Sequence, residues 1–336
     1  MFKKYNNNVK LFQWPEPGYC QFGIENPVYY KYKRNIKNPS VFKIQKIEKF
    51  FSEKYKTKYA ILFPSGRAAT NVILRHHQYD RSKIVNIPLW TSSCLLHSLT
   101  AITNVSVKNR KADCIIVVHK WGNTYTLKNN YKTKKQLIID DSADCFPGKI
   151  YKPFENNSHY EILSLPKLIG SFCGGIILTN KTKFYLYCKK QQIQNKILGK
   201  AQSERKYKST FKDQTNFDWR FYESLNTSVD FNSVENIFNC LSNYDLNLNT
   251  IIRRQNLIKK YFKNMMIDKK RIGPCLIFDK KKFNKFKSLL ESKHYDFTHK
   301  ALKEKYRECL IFPIHFGISE KNFKKKLNSL IKAEKR

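Results

Sequence analysis

Lys167 is set among Ile162, Leu163, Leu165, Leu168 and Ile169, unlike the lysines that crowd the polar runs of this chain. Desolvation disfavours an ammonium and makes a neutral, nucleophilic amine accessible. The plainer reading is a lysine that snorkels from the start of a helix. Twenty-six residues earlier the apolar run Leu137-Ile138-Ile139 ends in Asp140-Asp141. Paired carboxylates at a buried strand end cost several kcal/mol unless they are partnered or open to a cleft. Successive side chains of a strand point to opposite faces, so at most one of the two enters a crevice at the sheet end directly. A third group is Pro64-Ser65-Gly66-Arg67-Ala68-Ala69, a strand-to-helix turn. Backbone N–H groups and the positive end of a helix dipole make such a turn an anion site, most naturally for phosphate. Gly alone is common in strand–helix turns, so the turn gains meaning only from its neighbours. His119 reads as a strand-end hydrogen-bonding residue rather than a base. His315, after Pro313-Ile314, is a candidate for lining a cleft. His76-His77, adjacent on a helix, face different ways and do not suit a shared metal.

These groups need elements to hold them. From Tyr59 to Thr179 short apolar runs alternate with helical stretches: Tyr59–Phe63, Ile84–Ile87, Cys114–Val118, Leu137–Asp140 and Gly175–Thr179 read as strands, with helices over Arg67–His77 and Ser92–Ile102. Continuous apolar runs of this length suit strands buried on both faces of a parallel sheet, and strands separated by helices indicate a layered α/β domain. Ligands of such sheets bind at the carboxyl ends of the strands, where all three groups fall. Beyond a boundary near residue 230 the pattern changes. Val234–Phe262 reads as one long helix, then Cys275–Phe278 and Cys309–Phe312 as strands between basic helices at Lys281–Ser292 and Glu320–Lys332. The expected division is a large α/β domain over 1–230 and a small α+β domain over 231–336.

Composition limits the alternatives. With 336 residues, 41% apolar and 14% aromatic, the chain can build a sizeable core. No apolar run approaches the roughly 18 residues of a membrane span. The basic start Met1–Asn8 has no apolar segment behind it, so a cytoplasmic chain without signal peptide is expected. Nine scattered cysteines without a C-x-x-C pattern argue against a disulfide framework or a zinc site. Sixty-four Lys+Arg against 26 Asp+Glu give a net charge of +38. That charge alone supports salt-sensitive polyanion binding. It is spread from end to end with no nucleic-acid recognition motif, as compositional drift would produce. A polyanion-binding protein without catalysis is the rival reading.

The order and wording of the segments resemble the DegT/DnrJ/EryC1/StrS family of sugar aminotransferases. Ser65-Gly66-Arg67-Ala68-Ala69 resembles the family's S-G-T-x-A phosphate turn, and Ile87-Pro88-Leu89-Trp90-Thr91 its V-P-x-x-T segment with a cofactor-stacking aromatic. Val118-His119-Lys120-Trp121-Gly122 resembles V-H-x-x-G, and Ile139-Asp140-Asp141-Ser142-Ala143-Asp144 resembles I-E-D-x-A-Q. Lys167 with Gly174–Thr179 behind it, Asp218-Trp219-Arg220 and Phe312-Pro313-Ile314-His315 complete the series. The resemblance implies the pyridoxal phosphate (PLP) transferase type I fold, a large mostly parallel three-layer α/β domain with a smaller C-terminal α+β domain. It implies PLP as cofactor, a homodimer, and transfer of an amino group from glutamate or glutamine to the keto group of a nucleotide-linked sugar. Lys167 would be the Schiff-base lysine and Asp141 the partner of the pyridinium nitrogen. Ser65, Gly66, Arg67, Trp90, Asp144, Ser164 and Asp218 would surround the cofactor; His119, Arg220 and His315 would face substrate. The chain departs from the pattern in having Arg67 for Thr, Asp144 for Gln, Asp218 for a partner-lent Asn, and Ile162 where a phosphate-binding Ser is usual. The last change leaves Ser164 as the substitute. Trp90 also precedes Thr91, whereas the family's stacking aromatic follows that Thr.

Overall fold

A computed structural model describes residues 8–10, 29–31, 38–107, 111–127, 136–171, 173–194, 226–262, 265, 267–303 and 305–335. Strands β1 (Asn8–Lys10) and β2 (Tyr29–Lys31) pair antiparallel, and helix α1 (Val41–Lys54) follows. Seven strands then form the central sheet: β3 (Tyr59–Phe63), β4 (Ile84–Asn86), β5 (Asn104–Ser106), β6 (Cys114–Val118), β7 (Leu137–Asp141), β9 (Tyr160–Ser164) and β10 (Gly175–Thr179), with the two-residue β8 (Phe146–Pro147) outside it. Their order is β3-β10-β9-β7-β6-β4-β5. Neighbours from β9 to β5 run parallel, and β10 is antiparallel to both of its neighbours. Helices α2 (Gly66–His76), α3 (Ser93–Thr100), the one-turn α4 (Leu165–Ile169) and α5 (Thr182–Gln194) connect or follow these strands.

Strand alternation sorts the side chains between separate cores. Ala60 and Leu62 of β3 join one apolar cluster, while Ile61 and Phe63 join another; β10 divides likewise, Ile176 and Leu178 against Ile177. In β6, Cys114 and Ile116 face the second cluster, whereas Ile115 and Val117 meet a third. Both faces of the sheet are therefore covered, which makes three layers. Each fully buried Ile, Leu, Val or Phe contributes about 1.5–3 kcal/mol, which is why these runs are uninterrupted by polar residues.

The C-terminal part supplies helices α6 (Phe231–Cys240) and α7 (Asn243–Tyr261), the short β11 (Arg271–Ile272), an antiparallel sheet of β12 (Cys275–Asp279), β14 (Tyr306–Pro313) and β13 (Glu291–Asp296), and helix α8 (Glu320–Glu334). Val234, Ile237, Tyr244 and Ile251 from α6 and α7 share a core with Ile47 and Phe51 of α1. Strand β11 pairs with β8, and the third cluster joins Cys275, Ile277, Cys309 and Ile311 to β6 and β7. Both connections tie this part to the sheet that carries the strand-end residues.

Three local expectations change. The helix expected over Val234–Phe262 is two helices, broken at Leu241-Ser242 so that Cys240 and Tyr244 are both buried. Instead of a basic helix over Lys281–Ser292 there is one 3-10 turn, Asn284–Phe286, followed by β13. There the rings of Phe283 and Phe286 stack and Phe286 is fully buried, so packing overrides the helical bias of the lysines. Strand β9 goes unread in the sequence because Glu161 interrupts Tyr160-Glu161-Ile162-Leu163, yet Glu161 is fully buried.

Candidate active site

A pocket opens at the carboxyl ends of β6 and β7 and beside the start of α3. Trp90, His119, Lys120, Asp141, Asp144 and Lys167 line it, with Thr91 and Ser92 from the segment entering α3. Residues 77 positions apart in sequence, Trp90 and Lys167, thus line one pocket because the parallel strands end together.

Strand β7 divides its two terminal carboxylates. Asp141 turns into the pocket, and its Oδ1 accepts the Ala143 backbone N–H at 3.0 Å. Asp140, fully buried, turns the other way. It accepts hydrogen bonds from Asn156 Nδ2 and Ser158 Oγ, each at 2.8 Å, and lies 3.3 Å from His119 Nε2. Burial works to raise the Asp140 carboxyl, but His119, Arg271 and Asn156 together hold it below the usual carboxylate range.

Lys167 is carried by α4, a single turn with Pro166 at its start and Gly170 in a left-handed conformation (φ 71°) at its end. Both flanks are tied to the Ser65 turn: the Leu165 N–H donates to Gly174 O at 3.0 Å, and the Gly174 N–H donates to Pro64 O at 2.8 Å. Gly175 makes the approach possible, because a Cβ there would lie 2.4 Å from the Ser65 carbonyl carbon and 2.5 Å from Gly66 N. Ser65 caps α2 by accepting the Ala68 N–H at 3.2 Å. The lysine and the N-terminus of α2 are thus fixed to one another by backbone. The Lys167 ammonium is ion-paired with Oδ1 of Asp144.

Behind the pocket lies a buried polar cluster. Arg271 of β11, 1% exposed, donates to Glu161 Oε1 at 3.0 Å and to Ser142 Oγ at 3.2 Å. Glu161 also accepts from Ser142 Oγ at 2.5 Å and Tyr151 OH at 2.8 Å. The ion pair joins β9 to the C-terminal part, and the bond to Ser142 adds the turn after β7. His119 Nδ1 accepts the Tyr125 N–H at 3.0 Å, which leaves the ring proton on Nε2, facing Asp140. Burial first, then the charge of Arg271, pushes this histidine below its usual range and keeps it neutral. His119 is therefore fitted to holding the strand end, as its sequence setting suggests, behind the pocket it helps to line.

One wall of the pocket is aromatic. Lys120 Nζ lies 4.7 Å from the ring centre of Trp90 and 4.5 Å from that of Trp121. Trp121 has a left-handed backbone (φ 53°) and stacks on Tyr295 of β13. Here Gly273 is required, since a Cβ on it would lie 1.8 Å from Trp121 O.

Of the residues singled out in the sequence, Lys167, Asp141, Asp144, Trp90 and His119 meet in this pocket, and Ser65, Gly66 and Arg67 lie across the Gly174-Gly175 contact from it. Ser164 ends β9 as the residue before α4, opposite Gly175, outside the pocket lining. His315 does not reach the cleft: it is 1% exposed, its Nδ1 accepts the Gly317 N–H at 3.2 Å, and its carbonyl accepts from Arg254 at 2.5 Å. Those bonds fix it in the core of the C-terminal part, next to the turn that starts α8. Asp218 and Arg220 lie outside the described residues. Among the described residues no cluster suited to a metal ion occurs, no helix is long and apolar enough to cross a membrane, and no cysteine forms a disulfide. Sequence reasoning missed Arg271, Glu161 and Lys120. Lys120 had a signal, its place between His119 and Trp121; for Arg271 and Glu161, 110 residues apart, there was none.

The profile of a family described as "Putative PLP-dependent aminotransferase" matches residues 47–334. The chain belongs to this family, and PLP is its cofactor. Its fold is that of the DegT/DnrJ/EryC1/StrS sugar aminotransferases. It is similar to a DegT DnrJ EryC1 StrS aminotransferase from Brucella abortus, with TM-score 0.59 and 14% identity over 88% of this chain and 91% of that one. DesV from S. venezuelae, solved in complex with a ketimine intermediate, gives 0.61 and 11% over 90% and 92%. DesI, solved in the presence of its TDP-sugar product, gives 0.57 and 10% over 89% and 86%. No curated protein matches the chain.

Proposed function

We infer that this aminotransferase moves the amino group of an amino acid, glutamate or glutamine, to the keto group of a nucleotide-linked sugar, with Lys167 as the reacting amine. The observation that carries the reading is the meeting of Lys167, Asp141 and Trp90 in one pocket, with the helix-starting turn Ser65-Gly66-Arg67 drawn up to the lysine's helix through Gly175. This set fits PLP: an amine for its aldehyde, a carboxylate for its ring nitrogen, an indole for its ring face, and backbone N–H groups with Arg67 for its phosphate. When bound, PLP supplies an electron-withdrawing ring that eases loss of a proton from the carbon bearing the transferred nitrogen.

The chain's own residues divide the remaining work. Asp141 holds a proton on the ring nitrogen, and Asp140 and His119 brace the strand end behind it. Lys167, as a free amine, would carry the proton to and from the substrate carbon. Trp90 excludes water from one face, and Lys120 beside it adds a cation to the pocket lining. A nucleotide-linked acceptor is supported by the likeness to DesI, solved with a TDP-sugar, and is consistent with the +38 charge. In this reading residues 1–230 form the cofactor-binding domain and 231–336 the smaller one. The protein works as a cytoplasmic homodimer.

The test is the visible absorption spectrum of the protein with added PLP, for wild type and Lys167→Ala, then borohydride reduction and peptide mapping. A band in wild type only, with the reduced adduct on Lys167, is expected. Bleaching by glutamate or glutamine, and its recovery with a TDP- or GDP-linked keto sugar, then identifies donor and acceptor. A wild-type protein without the band overturns the assignment of Lys167, and recovery only with small oxo acids overturns the sugar acceptor.

A further inference from the structure

The lysine of the pocket is held by a carboxylate that the cofactor does not account for. Asp144, in the turn after β7, contacts the Lys167 ammonium directly, and the two side chains are only 10% and 13% exposed. A carboxylate at contact distance favours the charged form of an ammonium, the more so where water is mostly excluded. An amine attacks a carbonyl only after its ammonium has lost a proton. We propose that Asp144 is a positioning residue for Lys167, one that holds its ammonium at the pocket floor and sets the pH range in which the amine can react. This rests on the reading that Lys167 is the reacting amine.

The other groups around the pair are compatible with that role. Asp141 from β7 and His119 and Lys120 from the turn after β6 line the same pocket. Arg271 of β11, Cys145 next to Asp144 and Cys275 of β12 stand behind it. Burial pushes both thiols up and His119 down, so these three stay uncharged through the neutral range, and Arg271 stays cationic. The charge next to Lys167 is thus set by Asp144 together with Asp141 and Lys120. Reaction with an aldehyde follows a simple balance. The ammonium releases a proton to solvent, the nitrogen lone pair forms the C–N bond, and the carbonyl oxygen leaves as water after taking up the two remaining amine hydrogens. Asp144 opposes only the first of these steps.

The experiment uses the full chain without PLP and pulses it with acetic anhydride across a pH series. Acetylation of Lys167 and of exposed Lys303 is read by peptide mass spectrometry. In Asp144→Asn, acetylation of Lys167 at about pH 7.5 rises about tenfold, and the pH of half-maximal rate falls by about one unit, while Lys303 keeps its profile. Asp144→Glu retains the wild-type profile. A Lys167 profile in Asp144→Asn that coincides with wild type overturns the proposal. So does a wild-type half-maximal pH at or below that of Lys303, a comparison that stands even where a variant folds poorly. Because labelling needs no cofactor, the two readings separate. A shifted profile without a PLP adduct in wild type sinks the assignment of Lys167 in catalysis alone, and an adduct without the shift sinks only the role of Asp144.

Discussion

Asp140 and Asp141 are neighbours with opposite duties, because a strand turns consecutive side chains to opposite faces. Asp141 opens on the pocket, whereas Asp140 accepts from Asn156 and Ser158 and faces His119 in a fully buried cluster. Substitution should separate them. Asp141→Ala lowers turnover by about a hundredfold, about 2.7 kcal/mol of barrier, with little change in melting temperature. Asp140→Ala strips three buried partners of their acceptor and destabilises the fold by about 3–5 kcal/mol. Steady-state rates and denaturant unfolding on the two variants check this; equal stability losses would contradict the division. The carboxylate pair was legible in the sequence from its place after an apolar run. Which of the two opens on the pocket was not, because that depends on the register of β7 within the sheet.

At the scale of elements, α4 has only one turn and would not hold Lys167 alone, since so short a helix is unstable by itself. Its position comes from the backbone bonds that join Leu165, Gly174 and Pro64. Gly175 is the narrowest point, and Gly175→Ala would force Ser65 and Gly66 away from α4. The expected outcome is a PLP dissociation constant raised by tenfold or more, since the Ser65 turn and the lysine lose their mutual placement, with a measurable drop in melting temperature. Titration of the visible band against PLP measures the first and a thermal melt the second. A variant that binds PLP as wild type does would show that the turn and α4 are independent. The Gly-Gly pair was visible in the sequence as part of the family pattern. What it allows became visible only with Ser65 and Gly66 packed against it, 110 and 109 positions away.

For the whole molecule, acid is the condition to which the fold is most exposed. His119 is held neutral by burial and then by Arg271, His159 by burial and then by Lys181, and His77 by burial and then by His76, its value lowered to about 4. An unfolded chain protonates its histidines near pH 6.5. The stability these groups support is therefore whole above about pH 6.5 and is lost as pH falls from there toward 4, because protons then bind the unfolded chain in preference. His77, only partly shielded from solvent, contributes less than the fully buried His119. Melting temperature should be flat from pH 8 to about 6.5 and drop steadily below that. A curve that stays flat down to pH 4.5 would contradict the buried neutral histidines.

By itself the sequence determined the layered α/β class, the strands whose apolar runs are buried on both faces, and the candidates Lys167, Asp141 and the Ser65 turn. Those signals are local: a run of apolar side chains or a carboxylate at its end reports burial within a few residues. Only the tertiary structure decided that His315 is a core residue, that β9 exists despite Glu161, and that β13 replaces a lysine-rich helix. It alone also decided that Asp144 meets Lys167 and that Arg271 neutralises Glu161. A buried charge is tolerated only through its partner, and when that partner lies 23 or 110 residues away the sequence carries no local trace of it.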